Sequence, residues 1–343
     1  MIYIGLSGGI DSTYSLYLLK KSFSEVTAVF LILFDQKNVC SLNCCNTMNV
    51  INITKKLNVK LEIIDVRENF KKEIINNFIN EYKNGRTPNP CVLCNEKIKF
   101  KLIIENLLKQ NDYVASGHYA RIQNINGDYF LLKGVDKLKD QSYMLYRVDK
   151  DYLSKIIFPL GSYYKKEVIN EVKKLNLYEK IPKESQDLCF LIDKKEKFLK
   201  EILPESKGDI LHINGKKLGT HKGYYFYTIG QREGLNISWK EPLYVINIDP
   251  EKNILFVGER VYAMKNEFTV KSLNWLCEIN KSSFNAKVKT RYKSKEIDCY
   301  VEKIDNQAKV KLKFNEFAIT PGQSAVFYKD EIVLGGGIID KVL

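Results

Sequence analysis

The chain has 343 residues, too many for one ordinary hydrophobic core, so two or three domains are expected. Its 45% hydrophobic and 28% charged residues exclude a disordered chain. No apolar run reaches the ~20 residues that span a bilayer. The formal charge of +13, from 54 basic and 41 acidic residues, suits a polyanion such as nucleic acid, although a solvated lysine coat would give the same sum.

Met1 leads straight into Ile-Tyr-Ile-Gly-Leu, without the basic start and cleavage site of a secretory signal. A cytoplasmic protein with no membrane partner is expected. Its eight cysteines are then expected to be reduced, with any special ones catalytic or metal-binding.

Ile2, Ile4 and Leu6 form an apolar strand that ends at Ser7-Gly8-Gly9, and a helix is expected over Ser12–Lys20. Further strands are predicted at Val26–Leu33, Leu61–Val66 and Asp112–Ser116, with helices at Met48–Leu57, Glu68–Tyr82 and Glu96–Lys109. Strands alternating with helices of this length predict an α/β fold, a doubly wound parallel sheet. Ligands of such sheets bind beyond the carboxyl ends of the strands, where Ser7–Ser12 and Ser116–His118 both fall.

Beyond residue 200 the texture changes. Tyr225–Ile229, Leu243–Ile248, Ile254–Val257, Ala286–Val288, Cys299–Ile304 and Ala308–Phe314 are short runs rich in β-branched or aromatic residues. Asn214-Gly215, Asp249-Pro250, Asp305-Asn306 and Pro321-Gly322 mark turns between them. This predicts antiparallel strands: a small central domain over 201–263 and a C-terminal β-barrel over 264–343, after an α/β domain over 1–200.

Ser7-Gly8-Gly9-Ile10-Asp11-Ser12 follows a strand and opens a helix. Its glycines let the backbone come close to a ligand, and the following amides favour an anion. The loop lacks the Gly-Lys-Ser/Thr of a Walker A site, which suits holding pyrophosphate as a leaving group. The pattern resembles the pyrophosphate loop of N-type ATP pyrophosphatases. ATP and Mg²⁺ are the implied cofactors, with Asp11 facing the Mg²⁺ or, alternatively, capping the helix.

Two prolines stiffen Gly85-Arg86-Thr87-Pro88-Asn89-Pro90-Cys91-Val92-Leu93-Cys94-Asn95. A cysteine at a helix N-terminus is expected to have a lowered pKa. Cys189, in Glu184-Ser185-Gln186-Asp187-Leu188-Cys189-Phe190, is a third candidate. Adding sulfur to a carbonyl carbon requires adenylation of the oxygen and a sulfur carrier. If that carrier is a cysteine persulfide, a second thiol must break the S–S bond.

With these segments, and with Ser116–Arg121, Lys139–Tyr143, Tyr227–Arg232, Thr290–Tyr292, Ile319–Gln323 and Gly335–Asp340, the chain resembles the tRNA-specific 2-thiouridylases from end to end. The resemblance implies an adenine nucleotide alpha hydrolase-like first domain and a tRNA-uridine sulfurtransferase that makes 2-thiouridine at the wobble position. It implies Cys94 as nucleophile and Cys189 as persulfide carrier. Gly5, Leu6, Ser7, Gly8, Gly9, Ile10, Asp11, Ser12, Leu31 and Gly117 would contact ATP. Asn89, Pro90 and Cys91 would lie at the target base. His118, Lys139, Asp140, Gln141, Arg291, Tyr292 and Gln323 would contact tRNA. A sulfur-donor protein is an implied partner.

Cys91 stands where that family usually has Asp. Cys91, Cys94 and Cys189 also resemble the three-cysteine set of thiolation relatives that hold a 4Fe-4S cluster, so persulfide chemistry, a cluster and a structural zinc with Cys40, Cys44 or Cys45 stay open. An amide-forming synthetase of the same superfamily, or a non-catalytic tRNA- or metal-binding module, are further alternatives. Cys277 and Cys299 read as core residues, and His212 and His221 as surface or turn residues. Lys287–Lys293 interleaves basic and aromatic side chains that could track a phosphate backbone and stack on a base.

Overall fold

The computed structural model describes residues 1–34, 43–178, 182, 188–191 and 195–343, with the backbone alone at 43–46. Cys40 lies outside the described residues, as do the side chains of Cys44 and Cys45 and most of the 184–190 segment.

Five parallel strands form the first sheet: β1 (Ile2–Gly5), β2 (Val26–Ile32), β3 (Lys60–Asp65), β4 (Tyr113–Ala115) and β7 (Ile156–Ile157), in the order β3-β2-β1-β4-β7. The order reverses between β1 and β4, so the switch point of a doubly wound sheet lies there. Period-two alternation sorts the side chains onto two covered faces. Ile2 and Ile4 pack with Leu16 and Leu19 of helix α1 (Ile10–Ser22), with Val50 and Ile53 of α2 (Asn43–Lys56), and with Val168 of helix Lys165–Lys174. On the other face, Tyr3, Val29 and Val114 meet Phe100 and Ile103 of the continuous helix 90–107.

Two strands of the first 160 residues leave this sheet. The hairpin β5 (Ala120–Ile125) and β6 (Asp128–Lys133) turns at Asn126-Gly127, where both residues have positive φ (56° and 97°), as a type I′ turn demands.

A second sheet, β10-β11-β8-β9, is built from β8 (Gly208–His212), β9 (Lys217–His221), β10 (Tyr244–Asp249) and β11 (Ile254–Gly258). Tyr225–Ile229, expected as a strand, instead enters a 3-10 turn at Tyr224–Phe226, because Tyr225 and Phe226 are drawn into a helical core rather than paired. His212 and His221, expected as surface or turn residues, do end strands at turns but are buried there. Each gains hydrogen-bond partners inside this sheet, His212 from Glu259 (3.1 Å) and His221 from the Asn253 carbonyl (3.2 Å).

The third sheet closes on itself. β12 (Met264–Trp275), β13 (Ser283–Lys289), β14 (Ile297–Ile304), β15 (Gln307–Phe317), β16 (Ser324–Lys329) and β17 (Ile332–Val342) run in the order β12-β15-β14-β13-β16-β17, and β12 also pairs with β17. Phe268, Val288, Cys299, Val301, Val310 and Phe327 fill it. The hairpin β5–β6 is stitched to its outside through Ile332 and Leu132.

Candidate active site

The glycine loop follows β1 and is braced by its own side chains. The Ser7 amide donates to Ser12 Oγ (3.2 Å), and Ser12 Oγ donates to the Gly9 carbonyl (3.1 Å). Gly8 has φ 79°, a region that L side chains avoid. Tyr178 donates to its carbonyl (3.1 Å). Gly117, at the end of β4, comes so close that a Cβ there would stand 2.8 Å from the Ser12 amide nitrogen. The loop amides therefore face outward at the N-terminus of α1. Gly9 occupies the N-cap position without a side-chain cap, so Asp11 does not cap the helix.

Asp11 is held from behind. Lys165 Nζ lies 2.6 and 2.8 Å from its two oxygens, and the Tyr119 hydroxyl donates to it at 2.8 Å. Neither partner was legible as functional in the sequence; Tyr163-Tyr164-Lys165 carries no motif.

Beyond the ends of β1, β2 and β4 opens a cavity of about 330 Å³. Gly5, Leu6, Ser7, Asp11, Ser12, Leu31 and Gly117 line it, while Gly8, Gly9 and Ile10 lie behind. Lys99, Phe100, Ser116, His118, Gln141 and Cys189 line it too. Residue 189, more than 170 positions from the glycine loop, therefore shares a cavity with it. The anchor is Phe190, buried edge-on against Phe78 (5.2 Å), Phe198 (5.6 Å) and Phe70 (6.0 Å), a burial worth about 2–3 kcal/mol. Cys94 belongs to the same core.

Cys91 and Cys94 sit on the first turns of helix 90–107. Pro90 takes its first position, where the missing amide costs nothing. The loop before it is clamped by the barrel and the second sheet. The Thr87 amide donates to the Pro321 carbonyl (2.9 Å), and Gln323 donates to the Thr87 (2.9 Å) and Pro88 (3.3 Å) carbonyls. Arg86 reaches Glu81, Asp340 and the Ile339 carbonyl at 2.9, 3.1 and 2.9 Å. Gly85, at φ 68°, has room only for hydrogen against Pro250 and Ile248.

The thiols do not have the lowered pKa expected of a helix N-terminus. Burial pushes Cys91 up, Cys94 up to about 11 and Cys189 up to about 12. Desolvation outweighs the dipole, and Cys94 lies a full turn inside the helix. Cys189 lines the cavity in crowded surroundings but keeps part of its own surface open, whereas Cys94 is buried.

His118 is kept neutral: burial, then the charge of Lys99, pushes it down to about 3. Its Nδ1 lies 2.7 Å from Ser116 Oγ. Gln141 accepts from the Tyr119 amide (3.0 Å) at the cavity edge. Asp140 turns inward to the Gly134 and Ser142 amides (3.0 and 3.1 Å), and beside it Lys139 closes a turn onto the Asp136 carbonyl (3.0 Å). Asn89 donates to Met144 Sδ (3.6 Å). Arg291 binds the Ala318 carbonyl and Thr320 Oγ1 (3.1 Å), while Tyr292 packs on Tyr143, ring to ring at 6.0 Å. Gln323, expected at RNA, thus ties the barrel loop to the cysteine loop, while Arg291, also expected at RNA, braces the 318–320 segment of the barrel itself.

Among the described residues, no three of His, Cys, Asp and Glu are gathered as a metal-ligand set. Cys91, Cys94 and Cys189 are close enough to feel one another's charge, but do not form one. The iron–sulfur alternative is therefore not favoured. The zinc alternative with Cys40, Cys44 or Cys45 falls outside the described side chains.

Residues 1–193 match the family model described as the tRNA methyl transferase HUP domain, 196–259 the tRNA methyl transferase PRC-barrel domain, and 265–339 the aminomethyltransferase beta-barrel domain. The tRNA-specific 2-thiouridylase MnmA of Buchnera aphidicola subsp. Acyrthosiphon pisum is 41% identical over 100% of this chain and 97% of its own. That of Carboxydothermus hydrogenoformans is 38% identical over 100% and 98%, and that of Proteus mirabilis 37% over 99% and 96%. Among solved structures, the U34-tRNA thiolase NcsA from Methanococcus maripaludis with its 4Fe-4S cluster has a TM-score of 0.37 and 21% identity, covering 55% of this chain and 61% of its own; at that distance it carries no argument. Matched from end to end at this identity, the chain belongs to the tRNA-specific 2-thiouridylase (MnmA) family.

Proposed function

We propose that this protein is an ATP-dependent tRNA-uridine sulfurtransferase that makes 2-thiouridine at the wobble position, U34. The observation that carries the reading is one cavity lined both by the glycine loop and by Cys189, with Cys94 buried in the hydrophobic core that also holds Phe190. A nucleotide activated at that loop meets sulfur without leaving the cavity.

The loop amides receive the phosphates of ATP, and the C2 oxygen of the splayed uridine attacks the α-phosphate, releasing pyrophosphate. The terminal sulfur of a Cys189 persulfide adds to C2, and AMP departs with the oxygen. The Cys94 thiolate then attacks Cys189 Sγ. A Cys94–Cys189 disulfide forms, the persulfide S–S bond breaks, and its electron pair stays on the sulfur that becomes the thione. A thiol reductant restores both cysteines, and a sulfur-donor protein reloads the exposed Cys189.

Asn89, Pro90 and Cys91 place the base, and neutral His118 offers a hydrogen bond from the cavity wall. Cys91 is less suited than a carboxylate to take a proton, so its role is to shape the base pocket. Gln141, Arg291, Tyr292, Gln323 and the 139–140 turn face the RNA. Mg²⁺ supplies charge neutralisation of the phosphates when bound. Asp11 is the cavity carboxylate that would hold it, and Lys165 keeps that carboxylate in place. No helix among the described residues is long and apolar enough to cross a membrane, and a cytoplasmic location is part of this proposal.

The test is mass spectrometry of tRNA nucleosides from a deletion strain, complemented with the wild type, Cys94→Ser or Cys189→Ser. The wild type is expected to restore 2-thiouridine and both variants to fail, while retaining tRNA-dependent pyrophosphate release. Persistence of 2-thiouridine in the deletion strain would overturn the reading. Full activity of the double variant would favour an amide-forming synthetase instead.

A further inference from the structure

Lys99 lies five residues beyond Cys94 on helix 90–107 and lines the cavity. Among the described residues that line it, Lys99 is the one lysine or arginine. Nearby charges are already matched: Asp11 by Lys165, and Glu96 by Arg147. Lys99 has neither a hydrogen bond nor an ion pair with any described residue, and it is half-buried. A half-buried ammonium that no described carboxylate neutralises favours an anion that arrives or forms beside it. The charge of Lys99 acts on four groups: Cys91, Cys94, Cys189 and His118.

Two anions compete for this role, the nucleotide phosphates and the thiolates. The phosphates already have the glycine-loop amides and the N-terminus of α1. The sulfurs have burial against them and no other cation acting on them. We infer that Lys99 is a positioning residue for the sulfurs, the cation that eases thiolate formation at Cys94 and Cys189 while S–S bonds are made and broken. The inference rests on the reading that these two cysteines handle the sulfur. Among the described residues, the other titratable groups acting on these sulfurs are the thiols themselves and Cys91, while Asp11, which also lines the cavity, is paired with Lys165.

The test uses the full-length, reduced protein without tRNA. The rate of iodoacetamide alkylation at Cys189 is followed by peptide-resolved mass spectrometry from pH 7 to 10. Lys99→Met is expected to slow alkylation at pH 8 by about tenfold and move the profile upward by about one pH unit, with Lys99→Arg within about threefold of the wild type. ATP binding should stay within about twofold. Lys99→Gln, closer to lysine in polarity, repeats the measurement should the Met variant fold poorly. An unchanged alkylation profile in the folded neutral variant would overturn the inference, as would lost ATP binding with normal thiol reactivity, which would make Lys99 a phosphate ligand. Because no thiolation is measured, failure of the sulfur-transfer reading would show in the nucleoside assay and not here.

Discussion

Lys165 Nζ contacts both carboxylate oxygens of Asp11, 154 residues away, at 2.6 and 2.8 Å, with the lysine nearly buried. A loop without a Walker lysine thus gains a cation from a distant helix, aimed at its aspartate and not at the cavity.

Removing that lysine leaves a part-buried carboxylate matched only by Tyr119. Lys165→Met should cost about 1–3 kcal/mol, below the full figure for a buried pair because Asp11 is partly exposed. KM for ATP should rise about tenfold. Thermal melts and pyrophosphate release read the two effects, and Asp11→Asn/Lys165→Met should regain stability without regaining ATP affinity.

Gly117→Ala would set a methyl group 2.8 Å from the Ser12 nitrogen and 2.9 Å from the Asp11 carbonyl carbon. Neither is a flexible side-chain end, so the glycine loop must move. A loss of about 1–3 kcal/mol is expected, together with weaker ATP binding, measured by denaturant unfolding and equilibrium dialysis. Unaltered ATP binding would show that the loop tolerates displacement.

His118 should make the protein acid-sensitive. Its folded pKa of about 3 lies below the ordinary value of 6.5, so between these the unfolded chain binds the extra proton. Stability is then complete above 6.5 and falls as pH drops toward 3, by up to about 1.4 kcal/mol per pH unit. His221 is shifted in the same direction. His118→Gln should flatten the urea midpoint between pH 6.5 and 5; an equally steep fall would assign the effect to other groups.

Arg86→Met should loosen the cysteine loop without touching a sulfur. It loses charged contacts to Glu81 and Asp340, the latter still held by Lys271 at 2.6 Å. About 1–3 kcal/mol should be lost and kcat should fall more than KM for ATP. Lysine should rescue little, because one ammonium cannot reach a carbonyl and two carboxylates together.

The parallel sheet was readable because Ile2-Tyr3-Ile4 and Val26–Ile32 are apolar on both faces and end in punctuation. The cavity was half readable: Ser7–Ser12 and Ser116–His118 announce themselves at strand ends. Lys165, Tyr119 and Lys99 do not, since nothing local tells a lysine behind a carboxylate from one in solvent. The thiol pKa values were misread, because a helix N-terminus is visible in Pro90-Cys91 whereas the burial that overrides it is a tertiary property. Tyr225–Ile229 was misread for a related reason: its aromatics suit a strand as well as a hydrophobic pocket.

The hairpin β5–β6 belongs by position to the nucleotide-binding half, yet it lies against the barrel. Leu132 pairs with Ile332, Lys133 donates to the Glu331 and Asp330 carbonyls, and Arg121 meets Glu331 at 3.1 Å. Gene fission between the two halves is accordingly closed to this architecture. A copy ending before the last strands would leave the hairpin with an unpaired edge and the cysteine segment without the barrel contacts that shape it.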